Sequence, residues 1–193
     1  MKSFICMFIV LMMLSGCASK QSVELISSSV EIRDDRSGGV SITSGDKKGE
    51  IIEPISLSYD FVLKNTGKKV LGGMEKINSQ TFEYNDGIKV YIEPNEKLQE
   101  VTTEVMGFNM YDEEDRQQAG LGMGITGTPV LEQNQEGKYT LDFVLGALEE
   151  NPEIRIAPSS EQLNKLKRNS LDALVIIHIA DEEIARFDLK NPN

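Results

Sequence analysis

The chain has 193 residues, 20 Lys and Arg against 31 Asp and Glu, one histidine, two cysteines and no tryptophan, for a formal net charge of −11. So acidic a surface argues against nucleic acid as a partner and against peripheral binding to anionic lipid, since phosphate-rich partners are repelled at long range. The length suits one domain, or two small ones, and allows a sizeable core.

At the N-terminus, Lys2 precedes an unbroken run of eleven apolar residues from Phe4 to Leu14. As helix this run spans about 16 Å, half of a bilayer's hydrocarbon core, so it reads as the hydrophobic region of an export signal. Leu14-Ser15-Gly16-Cys17 follows. This box resembles the lipobox of bacterial lipoproteins. In that family the cysteine thiol takes a diacylglyceryl group and a dedicated peptidase cuts on its N-terminal side. The resemblance implies cleavage between Gly16 and Cys17, lipid on Cys17 and a signal peptide over residues 1–16. It also implies a location at the cell membrane, facing outside the cytoplasm, with the lipid as membrane partner. Loss of Lys2 takes the formal charge to −12. Cys6 leaves with the signal, so no disulfide is possible and the exported domain relies on its core.

Residues 17–50 read as a lipidated N-terminus and polar tether. Val23/Leu25 and Val30/Ile32 alternate within it, which leaves open whether a first strand already belongs to the fold, while 33–50 is rich in Gly, Ser and charge. Residues 51–193 read as the folded domain. Ile55, Leu57, Tyr59, Phe61 and Leu63 alternate with mostly polar residues, the period of a half-buried strand. Asn65-Thr66-Gly67 supplies a turn. Ile88, Val90 and Ile92 predict another strand, ended by Pro94-Asn95. Val101, Thr103 and Val105 alternate in one parity and Met106, Phe108 and Met110 in the other, the signature of a strand with a β-bulge at Gly107.

Tyr139, Leu141, Phe143, Leu145 and Ala147 predict a strand facing Thr128–Glu132, in a hairpin with Gly137 in the turn. Ile154 and Ile156, between Pro152 and Pro158, predict a short edge strand. One segment predicts helix, 159–168: a serine cap, acid first and base last. Ala173–Ala180 reads as a central strand, and Asp181-Glu182-Glu183 turns it into a last strand with Ala185, Phe187 and Leu189 inward.

Short strands with frequent turns describe an all-β fold, a sandwich or a partly open barrel, with one short helix near 159–168. Val62-Leu63-Lys64-Asn65-Thr66-Gly67-Lys68, followed by Glu93-Pro94-Asn95-Glu96, resembles the strand ends and turns of bacterial immunoglobulin-like surface modules over residues 51–111. The tryptophan and disulfide of immunoglobulin domains are absent. The likeness implies an immunoglobulin-like β-sandwich that binds or scaffolds.

No constellation rises to a catalytic assignment, and nothing calls for a cofactor. Gly122-Met123-Gly124-Ile125-Thr126-Gly127 matches G-x-G-x-x-G, but a dinucleotide fingerprint needs a helix opening through it, and here Pro129 and Val130 follow. It reads as a glycine loop, able to cover a partner site. Asp112, Glu113, Glu114 and Asp115 are the candidate metal ligands, because clustered acids suit calcium; without ligand spacing they read first as a solvated turn. His178 lies on the less apolar face of its strand, and a single histidine makes a zinc site improbable. Three readings follow: a non-catalytic binding or protein-interaction module, a structural or assembly lipoprotein that pairs edge strands with an envelope protein, and, third, an envelope hydrolase with paired carboxylates.

Overall fold

A computed structural model describes residues 22–35, 38–78 and 80–191. Gly16 and Cys17 lie outside the described residues. Among the described residues antiparallel strands dominate, in four separate sheets with no closed barrel.

The main sheet has the order β1-β4-β9-β8, built from β1 (Val23–Arg33), β4 (Ile55–Asn65), β8 (Met123–Gly127) and β9 (Glu136–Gly146). β1 pairs with β4 along its length, with a register shift between Leu25 and Ser27. The extra residue, Ile26, changes which parity faces inward, so Val23 and Leu25 on one side of the bulge and Val30 and Ile32 on the other all pack on the core. The chain is therefore in the sheet from Val23 onward. Within the polar stretch that follows, β2 (Val40–Ser41) pairs with β3 (Ile51–Ile52). This hairpin is tied to the 149–153 loop by Thr43 on Glu153 and Lys47 on Glu149.

The second sheet has the order β11-β10-β7, from β7 (Ile88–Pro94), β10 (Ala173–Ile179) and β11 (Glu182–Asp188). β10 is the central strand that its apolar run predicts. A small hairpin of β5 (Glu75–Lys76) and β6 (Phe82–Glu83) stands between β4 and β7 in the chain.

Among the described residues three helices are present where the sequence predicts one. Helix α3 (Ser160–Asn169) carries the capping box of Ser159 and Gln162 and matches the predicted segment. Helix α1 (Glu96–Met106) occupies the segment predicted as a bulged strand. Leu98, Val101, Thr102, Val105 and Met106 are buried, at spacings of three and four, so the apparent parity change is one helical stripe. Asn95 caps its N-terminus and Gly107, at φ 84°, ends it in the left-handed region, returning its N–H to Thr103. Helix α2 (Glu113–Gln118) replaces the predicted solvated turn. Asp112 caps it, and Arg116 pins it by donating to the Met110 carbonyl at 3.0 Å and lying over the Phe143 ring. Ile154 and Ile156 form no strand; Ile156 makes a single parallel bridge to Ala147.

Both sheets and two helices feed one hydrophobic cluster. Leu57, Tyr59, Phe61 and Leu63 of β4 meet Leu141 and Leu145 of β9, Val175 and Ile177 of β10, Leu98 and Met106 of α1, and Leu166 of α3. Each fully buried side chain of this size contributes about 1.5–3 kcal/mol by leaving water. With no disulfide among the described residues, this cluster holds the fold.

Candidate functional site

The glycine-rich segment predicted as a loop is β8, and it is the partner of β9 that the sequence assigns to Thr128–Glu132. Met123 pairs with Phe143, Ile125 with Leu141 and Gly127 with Tyr139, and residues 128–135 form the connection; Gly137 lies inside β9. Glycine weakens a strand, but Gly127 has a steric reason to be here. A Cβ at this position would lie 2.6 Å from Cδ1 of Tyr139, whose ring covers the glycine while its hydroxyl donates to the Thr128 carbonyl at 2.6 Å. Burial pushes the Tyr139 hydroxyl above its ordinary pKa.

Val144 donates its N–H to the Gly122 carbonyl at 3.2 Å. In an antiparallel ladder the bonded pairs alternate, so Gly122, Gly124 and Thr126 face β9. The N–H and C=O groups of Met123, Ile125 and Gly127 therefore point away from the sheet, where no described residue meets them.

Beside this edge lies a cleft of about 310 Å³. Ile88 and Val90 of β7 line one side, Ile125 of β8 and Tyr139 and Leu141 of β9 the other, and Tyr84 closes it. The edge strands of the two sheets, β7 and β8, thus flank one apolar opening. The arm that carries β5 and β6 stands next to it, rooted by the Leu71–Leu131 bridge and by Ile88 donating to the Pro129 carbonyl at 2.9 Å. Its apolar side chains are turned to solvent: Met74 is 59% exposed, Ile77 50%, Phe82 40% and Tyr84 45%, and Ile125 across the opening is 58% exposed. Tyr84 and Ile125 line the opening itself, and exposed apolar surface at a cleft marks a candidate interaction site; Ile51 and Leu148, 70% and 66% exposed, line a second cleft elsewhere.

The opposite face of the same sheet is polar. Asp60 on β4 accepts from the Thr140 hydroxyl at 2.6 Å and pairs with Arg33 of β1 at 2.9 Å. Asp142 on β9, 5% exposed, accepts from the buried Ser58 hydroxyl. The sequence reading missed both carboxylates, whose only signal is outward parity in otherwise apolar strands. Their donors are protein groups, and together they tie β1, β4 and β9.

The candidate metal ligands do not converge. Asp112 is spent on the Asp115 N–H at 3.0 Å, Asp115 accepts from the Asn109 N–H at 3.1 Å, and Glu113 accepts from Gln117 at 3.0 Å. Among the described residues no group of three or more His, Cys, Asp and Glu side chains is placed to hold a metal ion. His178 sits on the outer face of the second sheet, edge-on to Tyr91 with ring centres 5.1 Å apart, between Lys89 on β7 and Glu183 on β11. No helix among the described residues is long and apolar enough to cross a membrane.

Comparison of the chain with protein-family models, with curated proteins and with solved structures gave no match.

Proposed function

We propose that this is a lipoprotein cut before Cys17, held by lipid at a membrane outside the cytoplasm, whose domain is a non-catalytic protein-interaction module. The observation that carries the interaction reading is the uncharged, unpaired edge of β8 beside an apolar cleft and an arm of exposed apolar side chains. Anchoring rests on the Leu14-Ser15-Gly16-Cys17 box and the apolar run before it. The Ser22 carbonyl accepts from Thr66 at 2.8 Å, so the fold begins within five residues of Cys17. Five residues reach about 17 Å at full extension, which keeps the domain close to the headgroups. Two or more acyl chains give stable attachment, at about 0.8 kcal/mol per buried methylene.

The same open edge supports an assembly role, in which the partner is an envelope protein that completes the sheet. The likeness to immunoglobulin-like modules enters this reading through two antiparallel sheets sharing one core; α1 after Pro94-Asn95, where those modules continue with a strand, departs from their pattern.

Cell fractionation and affinity recovery of the lipidated chain test the proposal, with Cys17→Ala as control. The wild type is expected in the membrane fraction with one envelope protein at near-stoichiometric yield, and the variant is expected released or unprocessed. A Cys17→Ala chain of mature size that stays on the membrane refutes the anchor, and an absence of any recovered protein refutes the interaction role.

A further inference from the structure

We infer that the free edge of β8 receives an extended segment of a cationic partner protein as a fifth strand, with alternate apolar side chains of that segment entering the cleft between β7 and β8. This rests on the interaction reading above and names its partner chemistry.

Three donors and three acceptors, on Met123, Ile125 and Gly127, are aligned along one line and unused among the described residues. Natural sheets protect such edges with charge, proline, a bulge or a cover. The other edge of this same sheet does so: β1 carries Glu24, Glu31 and Arg33 and a bulge at Ile26. β8 carries none of these; its five residues are Met, Gly, Ile, Thr and Gly. An added strand also presents every second side chain to the face occupied by Ile125, where Tyr84, Ile88 and Val90 line the cleft.

Charge selects the partner. The arm over residues 70–87 holds Glu75, Glu83 and Asp86 against Lys76 and is bounded by Lys68, Lys69 and Lys89, so it is close to neutral. The segment over 111–135, which leads into β8 and out of it, holds Asp112, Glu113, Glu114, Asp115 and Glu132 against Arg116 alone. The edge itself is neutral, Lys138 lies beside Thr126 near its end, and the chain as a whole carries a charge of −11. Pairing of β8 with a second copy would bring together two chains that each carry a charge of −11. Self-repulsion disfavours that pairing and favours a basic partner.

The test uses the purified full chain with three synthetic ten-residue peptides: alternating valine and lysine, alternating valine and glutamate, and the lysine peptide with a central proline. Amide exchange is read by NMR at Met123, Ile125 and Gly127. The valine–lysine peptide is expected to slow exchange at these three amides by at least about tenfold, without slowing the β1 edge, and less so as salt rises. The glutamate and proline peptides are expected to leave them unchanged. In Ile125→Pro the outward N–H is lost without touching the ladder to β9, and the protection should vanish; Ile125→Lys, which keeps the N–H and adds charge, checks the result in a second folded variant. Equal protection by the glutamate peptide, no protection by any peptide, or protection produced by raising protein concentration alone overturns the proposal. A chain that binds no peptide yet recovers a stoichiometric envelope protein overturns the β8 edge and leaves the interaction reading standing; failure of both removes both.

Discussion

The Tyr59 hydroxyl on β4 donates to the Ser170 carbonyl at 2.9 Å and accepts the proton of the Tyr111 hydroxyl. Three separate parts of the chain, an interior strand of the main sheet, the segment before α2 and the end of α3, meet at this one oxygen. Tyr59 is fully buried, with Phe143 edge-on to both rings. Removing its hydroxyl leaves the Ser170 carbonyl and the Tyr111 hydroxyl without their partner. Tyr59→Phe should therefore cost about 1–3 kcal/mol, and Tyr111→Phe, which leaves the Ser170 bond intact, about 0.5–1.5 kcal/mol. Urea unfolding of the two variants checks the order.

The same pair sets an alkaline limit. Burial pushes both hydroxyls above their ordinary pKa in the folded state. Unfolded tyrosines ionise near pH 10, so the unfolded state releases protons first as pH rises. Stability from this source is fully present below about pH 10 and is lost above it. Urea midpoints between pH 9 and pH 11 should fall more steeply for the wild type than for Tyr111→Phe.

At the other end of the scale stands Asp172, which receives Lys190 and Lys97 on its two oxygens and joins the start of α1, the approach to β10 and the segment after β11. These hydrogen bonds hold its carboxyl below the usual carboxylate range. A depressed folded pKa stabilises above the unfolded value, near 3.9, and the benefit disappears as pH falls through the folded one. Asp172→Asn should cost roughly 1 kcal/mol at pH 7, since the lysine ends are 58% and 60% exposed and screened by water. Thermal melts at pH 7 and pH 3 should show the difference between wild type and variant shrinking at the lower pH.

Gly127→Val should place a side chain against the Tyr139 ring, which cannot swing aside without losing its bond to Thr128. Overpacking of this kind costs about 1–3 kcal/mol. Because β8 is held to the sheet on one side only, the variant should also speed amide exchange of β9 at Thr140 while leaving β10 unchanged.

What the sequence discloses follows from how local each signal is. β4, β9 and β10 are legible because burial on one face or both writes itself into Ile55–Leu63, Tyr139–Ala147 and Ala173–Ile179, and α3 because Ser159 and Gln162 announce its start. α1 is hidden by Val101, Thr102, Thr103 and Val105, whose β-branched side chains favour strands; the contact of its stripe with the core overrides that preference. β8 is hidden for the opposite reason. Gly122, Gly124 and Gly127 give no local reason to extend, and only the ladder to β9 and the Tyr139 ring make the segment a strand. The open edge, which is the centre of the candidate site, is a property of strand order and has no trace in any single segment.

The measurement that tests the account most directly is recovery of the partner from cells by the lipidated chain, by Ile125→Lys, and by Glu161→Lys on the exposed side of α3. The account predicts that wild type and Glu161→Lys recover the same envelope protein in equal yield, and that Ile125→Lys loses most of it while remaining folded and membrane-bound. Full recovery by Ile125→Lys would contradict it.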